Sequence, residues 1–270
     1  MKDKKLTWEE SVLWLRNQPD KSDLVKYCFY DDPLIDAAKR YYNSSEWDAV
    51  RNLLPKTLGK ALDLGAGRGI SSYSLAKDGW EVTALEPDSS EVVGAGAIRS
   101  LARLENLNIT ISEEKGEILP FEENSFDLVY GRAVMHHADD LQRFCEQISR
   151  VLKPGGVMFI SREHVIDKKE DLQKFLDSHP LHHLYGGENA YLVDEYLSAM
   201  KNAGLKVTKV LNPYQSNVNL FPSNTRGIKR RVARKYKLRF LSPFIPKLLI
   251  KFLGDRLKTP GRLYTFSGVK

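Results

Sequence analysis

From Lys60 onward, short apolar runs alternate with amphipathic stretches. ALDLG (61–65), EVTALEP (81–87), NITISEE (108–114), FDLVYGRA (126–133) and VMFISRE (157–163) read as strands. Between them, 70–77, 88–104 and the amphipathic stretch 139–152 read as helices, with Asp78-Gly79 ending the first and KPGG (153–156) turning into the fifth strand. Strands alternating with helices predict an α/β fold, a parallel sheet with helices on both faces. After Glu163 the rhythm breaks into a polar, His-rich stretch, 167–190. A helix over 191–203 ending at Gly204, a strand at LKVTKVL (205–211), a long segment 214–260 and a last strand at RLYTFSGV (262–269) complete the chain. Upstream, 7–54 reads as short helices punctuated by Pro19 and Pro33. Thr7 is the expected first N-cap, with Glu10 at capping-box spacing. No internal repeat is present.

Composition narrows the class. With 42% hydrophobic and 28% charged residues in 270, the chain suits one large globular domain with a substantial core. No run approaches the roughly 18 apolar residues of a membrane span. The charged start, MKDKKLTWEE, predicts no secretory leader. The two cysteines, Cys28 and Cys145, form no CxxC pair, so reduced thiols and a cytoplasmic setting are expected. The net charge of +6 hides an asymmetry: 226–270 holds 14 Lys and Arg against one acid, Asp255, while the rest holds 27 against 34.

The candidate chemistry starts at ALDLGAGRGI (61–70), where Gly65, Gly67 and Gly69 follow a strand. A turn there without side chains lets a ligand approach the backbone and the start of the next helix. It is not a P-loop, because no Gly-Lys-Ser/Thr follows, and the third glycine of a dinucleotide fingerprint would fall at Ile70. Asp63, inside the strand, suits a cationic ligand group such as an ammonium rather than a pyrophosphate. Glu86, closing the second strand, can accept both hydroxyls of a ribose, which fits an NAD enzyme and other nucleoside binders alike.

LDLGAGRG, ALEPDSSEVV, GEILPFEENSFDLVYGRAVMHH and RVLKPGGVMFISRE occur in that order. Together they resemble the class I S-adenosylmethionine-dependent methyltransferases, most closely the branch that includes the ubiquinone/menaquinone-biosynthesis enzymes. The resemblance covers 58–163 and extends more loosely over 191–210. It implies a seven-stranded, mostly parallel Rossmann-like sheet with S-adenosyl-L-methionine as cofactor. It also implies a helical cap over 1–56 and a catalytic domain over 57–270 with lid insertions at 165–190 and 214–260. By the same resemblance, Asp63, Gly65, Ala66, Gly67 and Gly69 wrap the methionine moiety, Glu86 and Pro87 hold the ribose, and Gly131 and Arg132 lie beneath the methyl group. The acid expected at the adenine falls on Lys115, a departure that passes this contact to the backbone of Gly116 or the carboxylate of Glu117.

The acceptor side is read from the residues around that frame. His136 and His164, at the mouths of the fourth and fifth strands, are the candidate bases, each with a structural polar contact as the competing reading. His137, His179, His182, Tyr185 and Glu188 are the candidate acceptor contacts, with Gly186-Gly187 letting their loop approach. The run SHPLHHLYGGENAY (178–191) lacks paired cysteines and HExxH, so no metal is expected. RGIKRRVARKYKLRF and LSPFIPKLLIKFLGDRLK, within 226–258, predict attraction to anionic groups and peripheral membrane contact; a lid with a solvated basic outer face competes with that reading. The stretch YGRAVMHH lacks the Asp/Asn-Pro-Pro-aromatic pattern of base-methylating enzymes, so nucleic acid is not the expected acceptor. Methyl transfer to oxygen of a small, anionic or lipid-linked acceptor is the favoured function. The alternatives are an NAD-dependent oxidoreductase and an RNA- or DNA-directed methyltransferase using 226–262. Helices over 20–54, with Tyr27, Tyr30, Tyr41 and Tyr42, are expected over the cofactor pocket.

Overall fold

The computed structural model describes residues 5–114, 118–235, 237 and 239–270. Among these, eight strands share one sheet: β1 (Lys60–Leu64), β2 (Glu81–Leu85), β3 (Ile109–Ser112), β4 (Phe126–Arg132), β5 (Leu152–Ile166), β6 (Tyr191–Leu192), β7 (Lys206–Leu211) and β8 (Arg262–Val269). Their order is β3-β2-β1-β4-β5-β8-β7, with β6 beside β5. β1 to β6 pair in parallel, and β8 runs antiparallel to both β5 and β7. The seven expected strands are all present. The two-residue β6 is additional: β4 stops opposite Ser161, β5 continues to Ile166, and β6 pairs with the edge left open at Val165 and Ile166.

Alternation along the strands sorts the core onto two faces. Leu62, Leu64 and Val129 face the helices Leu141–Val151 and Val193–Asn202. Ala61, Leu128 and Tyr130 face the other way, toward the helix Ile70–Lys77 and the buried Tyr41 and Trp47. β1 has neighbours on both sides with opposite crossovers, so the crevice beyond its carboxyl end lies at the topological switch point, between β1 and β4.

Three helix starts differ from the sequence expectation: the helix expected from 139 begins at Leu141, after Asp140 caps it, and two more are displaced. The helix expected over 88–104 begins at Ala95, because Asp88 and Ser90 capture the backbone first. The Asp88 carbonyl accepts from the Ala95 amide at 2.7 Å, and Ser90 Oγ accepts from Val92 and Val93. The helix expected from 191 begins at Val193, since Tyr191 and Leu192 are spent on β6.

The N-terminal segment splits in two. The helix Trp8–Arg16 carries the expected reciprocal capping box, Thr7 Oγ1 accepting from the Glu10 amide and Glu10 accepting from the Thr7 amide. Its Leu15 packs with Trp8 and Tyr30 against Leu181, Leu184 and Tyr185 of the 165–190 insertion. The helices Leu34–Tyr42 and Ser45–Arg51 belong instead to the central core. Tyr41 is fully buried with its hydroxyl against that of Tyr130, and Tyr42 donates to Asp78. Of the four tyrosines expected over the pocket, only Tyr27 and Tyr30 line it. The insertion carries helices Asp171–Ser178 and His182–Tyr185, and the 214–260 segment carries Thr225–Lys235 and Lys247–Asp255.

Candidate active site

The glycine turn is built from the backbone. The amides of Gly65 and Ala66 donate to the Leu85 carbonyl, which ties the end of β1 to the end of β2. Gly65 sits at φ +66°, and a Cβ there would lie 2.4 Å from a methyl of Val134. Gly67, at φ +53°, has no neighbour closer than the Val93 carbonyl at 4.0 Å. The first glycine is demanded by packing, whereas the second leaves open space on the cavity side. Glu86 closes the turn: Oε2 accepts from the Gly67 amide at 2.7 Å and Oε1 from the Asp88 amide at 3.0 Å. Burial pushes its pKa up against those two bonds. A carboxylate has about four lone-pair sites, so Glu86 keeps capacity for hydroxyl donors from the cavity.

Asp63 takes a different position from the one its spacing suggests. Strand alternation turns it onto the face of helix Ile70–Lys77, where Oδ2 accepts from Ser72 Oγ at 2.6 Å. Burial pushes its pKa up to about 7, with Ser72 opposing and Glu86 reinforcing the shift. It stands behind the turn, outside the cavity lining.

Beyond the turn lies a cavity of about 820 Å³. Of the residues predicted for the site, Gly65, Ala66, Gly67, Glu86, Pro87, Arg132, His136, His137, His164, His179, Tyr185 and Glu188 line it. Asp63, Gly69, Gly131 and His182 stand outside the lining, and Gly116 and Glu117 lie outside the described residues. Arg132 reaches the wall, but its guanidinium is engaged by Glu46 at 2.7 Å and lies over the rings of Phe29 and Tyr41. Glu46, fully buried, also pairs with Arg162 at 3.5 Å. Arg162 in turn donates to the carbonyls of Val218 and Phe221, and Arg68 donates to the carbonyls of Phe29 and Asp31 and to Asp32. Three arginines therefore latch the N-terminal segment and the 214–260 segment onto the strand ends.

Histidines from three places in the chain, with Glu188 from a fourth, also line the cavity. Glu163, wholly buried in β5, accepts from the amides of Val134, Met135 and His136 at 2.9, 3.1 and 2.8 Å and faces His136 Nδ1 at 2.8 Å. It organises the turn after β4 and orients the imidazole. His137 Nδ1 donates to the Gly187 carbonyl and His164 Nδ1 to the Gly261 carbonyl, each at 2.8 Å. A carbonyl only accepts, so in each neutral ring the proton sits on Nδ1 and Nε2 is an acceptor. His136 Nε2 lies 3.4 Å from Glu188, and His179 Nε2 lies 3.6 Å from the same carboxylate. Burial opposes charge on His136, but Glu163 and Glu188 override it and push its pKa up to about 9. Burial, then the charge on His136, pushes His164 down to about 3. Burial also lowers His137. Glu46, Glu163 and Arg162 were not singled out from the sequence. Two acids and an arginine scattered over more than a hundred residues carry no spacing signal, although GluHis at the end of a strand is a hint for Glu163.

A family model for a methyltransferase domain matches residues 62–160. A glycine/sarcosine/dimethylglycine N-methyltransferase from Actinopolyspora halophila is 34% identical over 129 residues, 47% of this chain and 22% of that protein. A ubiquinone biosynthesis O-methyltransferase from Coxiella burnetii is 33% identical over 100 residues, 37% of this chain and 42% of that one. The chain thus matches less than half the length of either relative. A solved Galdieria sulphuraria protein, assigned as a sarcosine dimethylglycine methyltransferase, shares the fold over 97% of this chain and 98% of its own, with a TM-score of 0.62 at 20% identity.

Proposed function

We infer that this chain, whose residues 62–160 form a methyltransferase domain of the class I S-adenosylmethionine-dependent type, binds that cofactor at the glycine turn and methylates an oxygen of an acceptor held against the histidine wall. The carrying observation is that one cavity joins the two ends, a bare backbone turn with a carboxylate that has lone pairs to spare, and a set of imidazoles from separate elements. The residues suit the cofactor: Gly67 leaves room where a side chain would intrude, Glu86 has lone pairs left for ribose hydroxyls, and the volume accommodates a nucleoside with space beyond it. When bound, S-adenosylmethionine supplies an electrophilic methyl group. The chain's part is to align the acceptor, exclude water and take up its proton. His137, whose Nδ1 donates to the Gly187 carbonyl and whose Nε2 is therefore an acceptor, supports an acceptor group that gives up a proton, and we read that group as a hydroxyl. Calorimetry should give heat with S-adenosylmethionine and with its demethylated product, and none with NAD. Incubation of cell extracts with methyl-labelled cofactor should label a product whose new bond is O–CH₃. Heat with NAD alone would overturn the assignment, and an N-methyl product would overturn the choice of atom.

The acceptor's source is read from the 214–260 segment. Phe240, Phe244 and Leu248 are each more than 70% exposed, with Leu249 and Phe252 beside them. Arg226, Lys229 and Arg230 line a second cavity of about 510 Å³ with Thr225, Ser242 and Pro243. Exposed apolar side chains next to a basic recess suit the surface of a bilayer carrying anionic lipid, which would deliver a lipid-linked or phosphate-bearing acceptor. Among the described residues no helix is long and apolar enough to cross a membrane. The chain should cosediment with vesicles containing phosphatidylglycerol, release them in high salt and ignore pure phosphatidylcholine. Phe244→Glu with Leu248→Glu should abolish the binding. Indifference to both vesicle types, or equal binding of the double variant, would overturn the surface reading.

A further inference from the structure

The acceptor wall has more donors than a proton transfer needs. One ligand atom each from His136, His164 and Glu188 lies within 4.8 Å of the others. Both imidazoles are fixed from behind through Nδ1, His136 by the buried Glu163 and His164 by the Gly261 carbonyl. That leaves Nε2 as the inward atom, the way metal-bound imidazoles are held by a carboxylate or carbonyl behind them. Glu188 is the independent observation. Its side chain is only 5% exposed, Oε1 accepts from Tyr185, and Oε2 is buried with no hydrogen-bond partner. The nearest group to that oxygen is the His136 ring at 3.4 Å, outside hydrogen-bond geometry, and a metal ion bound between the two would displace the ring's proton.

We propose that His136 Nε2, His164 Nε2 and Glu188 Oε2 form a binding site for one divalent transition-metal ion of the zinc type on the acceptor side of the cavity. Two imidazole nitrogens and a carboxylate oxygen are the donor set of late first-row ions and not of magnesium or calcium. Donors about 2.1 Å from a shared tetrahedral ion stand about 3.4 Å apart. His136 and Glu188 already stand at 3.4 Å, so His164 alone has to close in. His179, 3.6 Å from the other Glu188 oxygen, is within reach as a further ligand. The three donors line the cavity, so the remaining coordination position faces the acceptor and would take an oxygen donor. The sequence gives no sign of this site because the donors come from the turn after β4, the end of β5 and the loop before β6.

This rests on the acceptor reading above, gives His164 a ligand's role and leaves proton uptake to His137, and it can be measured without turnover. Tag-free full chain, stripped with a chelator, should bind one equivalent of Zn²⁺ by calorimetry and mass-spectrometric metal counting. Co²⁺ should give visible ligand-field bands. His164→Ala and Glu188→Gln should each weaken the ion about a hundredfold or more, with the circular dichroism spectrum and the heat of S-adenosylmethionine binding retained. Folded, stripped protein that gives neither heat nor bands would overturn the site, as would equal affinity in both variants. If the ion binds and the cofactor does not, the methyl-transfer reading fails and the metal site stands.

Discussion

The cavity's two ends are built on different principles. At the cofactor end, the Gly67 amide and the Glu86 carboxylate meet across 19 residues of sequence, and the surface offered is mostly main chain. At the proposed acceptor end, the groups on offer are side chains of His136, His137, His164, His179 and Glu188, with the first three held from behind by Glu163, Gly187 and Gly261. A backbone site needs the absence of Cβ atoms at a few adjacent positions. A side-chain site needs several distant segments to arrive together and each ring to be oriented by a second partner. The first should resist change outside its own turn, and the second should depend on residues that never touch the acceptor.

Glu163→Gln tests that dependence most severely. One Glu163 oxygen accepts from Val134 and Met135 and the other from His136, and an amide nitrogen in place of either would face donors. Denaturant unfolding should show a loss of roughly 3–5 kcal/mol. In the folded fraction, transfer should fall at least about a hundredfold while cofactor affinity stays within about threefold. Parallel loss of cofactor binding would mean that the two ends are not separable.

Gly65→Ala against Gly67→Ala sharpens the cofactor side. At Gly65 a Cβ meets Val134 at 2.4 Å and the backbone is left-handed, so stability should fall by about 2–4 kcal/mol. At Gly67 only the backbone term applies, about 1–2 kcal/mol, and the main effect should appear in cofactor calorimetry. Equal melting temperatures would remove the distinction drawn between the two glycines. Glu86→Ala should weaken S-adenosylmethionine and its product by about 10- to 100-fold, or roughly 1.5–3 kcal/mol, with the affinity for Zn²⁺ unchanged.

Asp63 gives a pH-dependent effect with a definite sign. Its folded pKa of about 7 exceeds its unfolded value near 3.8, so between those limits the native state binds more protons than the unfolded one. This contribution is fully present below pH 4 and is lost as pH rises through 7. The wild type should lose about 2 kcal/mol from this group between pH 5 and 7, and Asp63→Asn should flatten that slope. An unchanged slope would show that the buried carboxyl is not the group responsible.

Much of the frame was legible in the sequence because its causes are local. Seven strands follow from short apolar runs between turn residues and amphipathic stretches, and the Thr7–Glu10 box from two side chains three positions apart. The start of the helix at Ala95 was not legible, because Asp88 and Ser90 compete for the same amides with bonds that periodicity does not count. Asp63 shows the limit within the motif itself. Its spacing suggests a ligand contact, and only the structure shows that its carboxylate is bonded to Ser72 and stands outside the cavity lining.

What the sequence by itself determined was the alternation of strands and helices, the glycine turn and the acid beyond it, since each follows from residue types at short, regular separations. Only the tertiary structure decided that Glu46 joins two arginines, that Glu163 anchors the turn after β4, and that histidines from separate elements converge on Glu188. Those facts are distances between atoms tens of residues apart, set when the sheet closes, and no local periodicity encodes them.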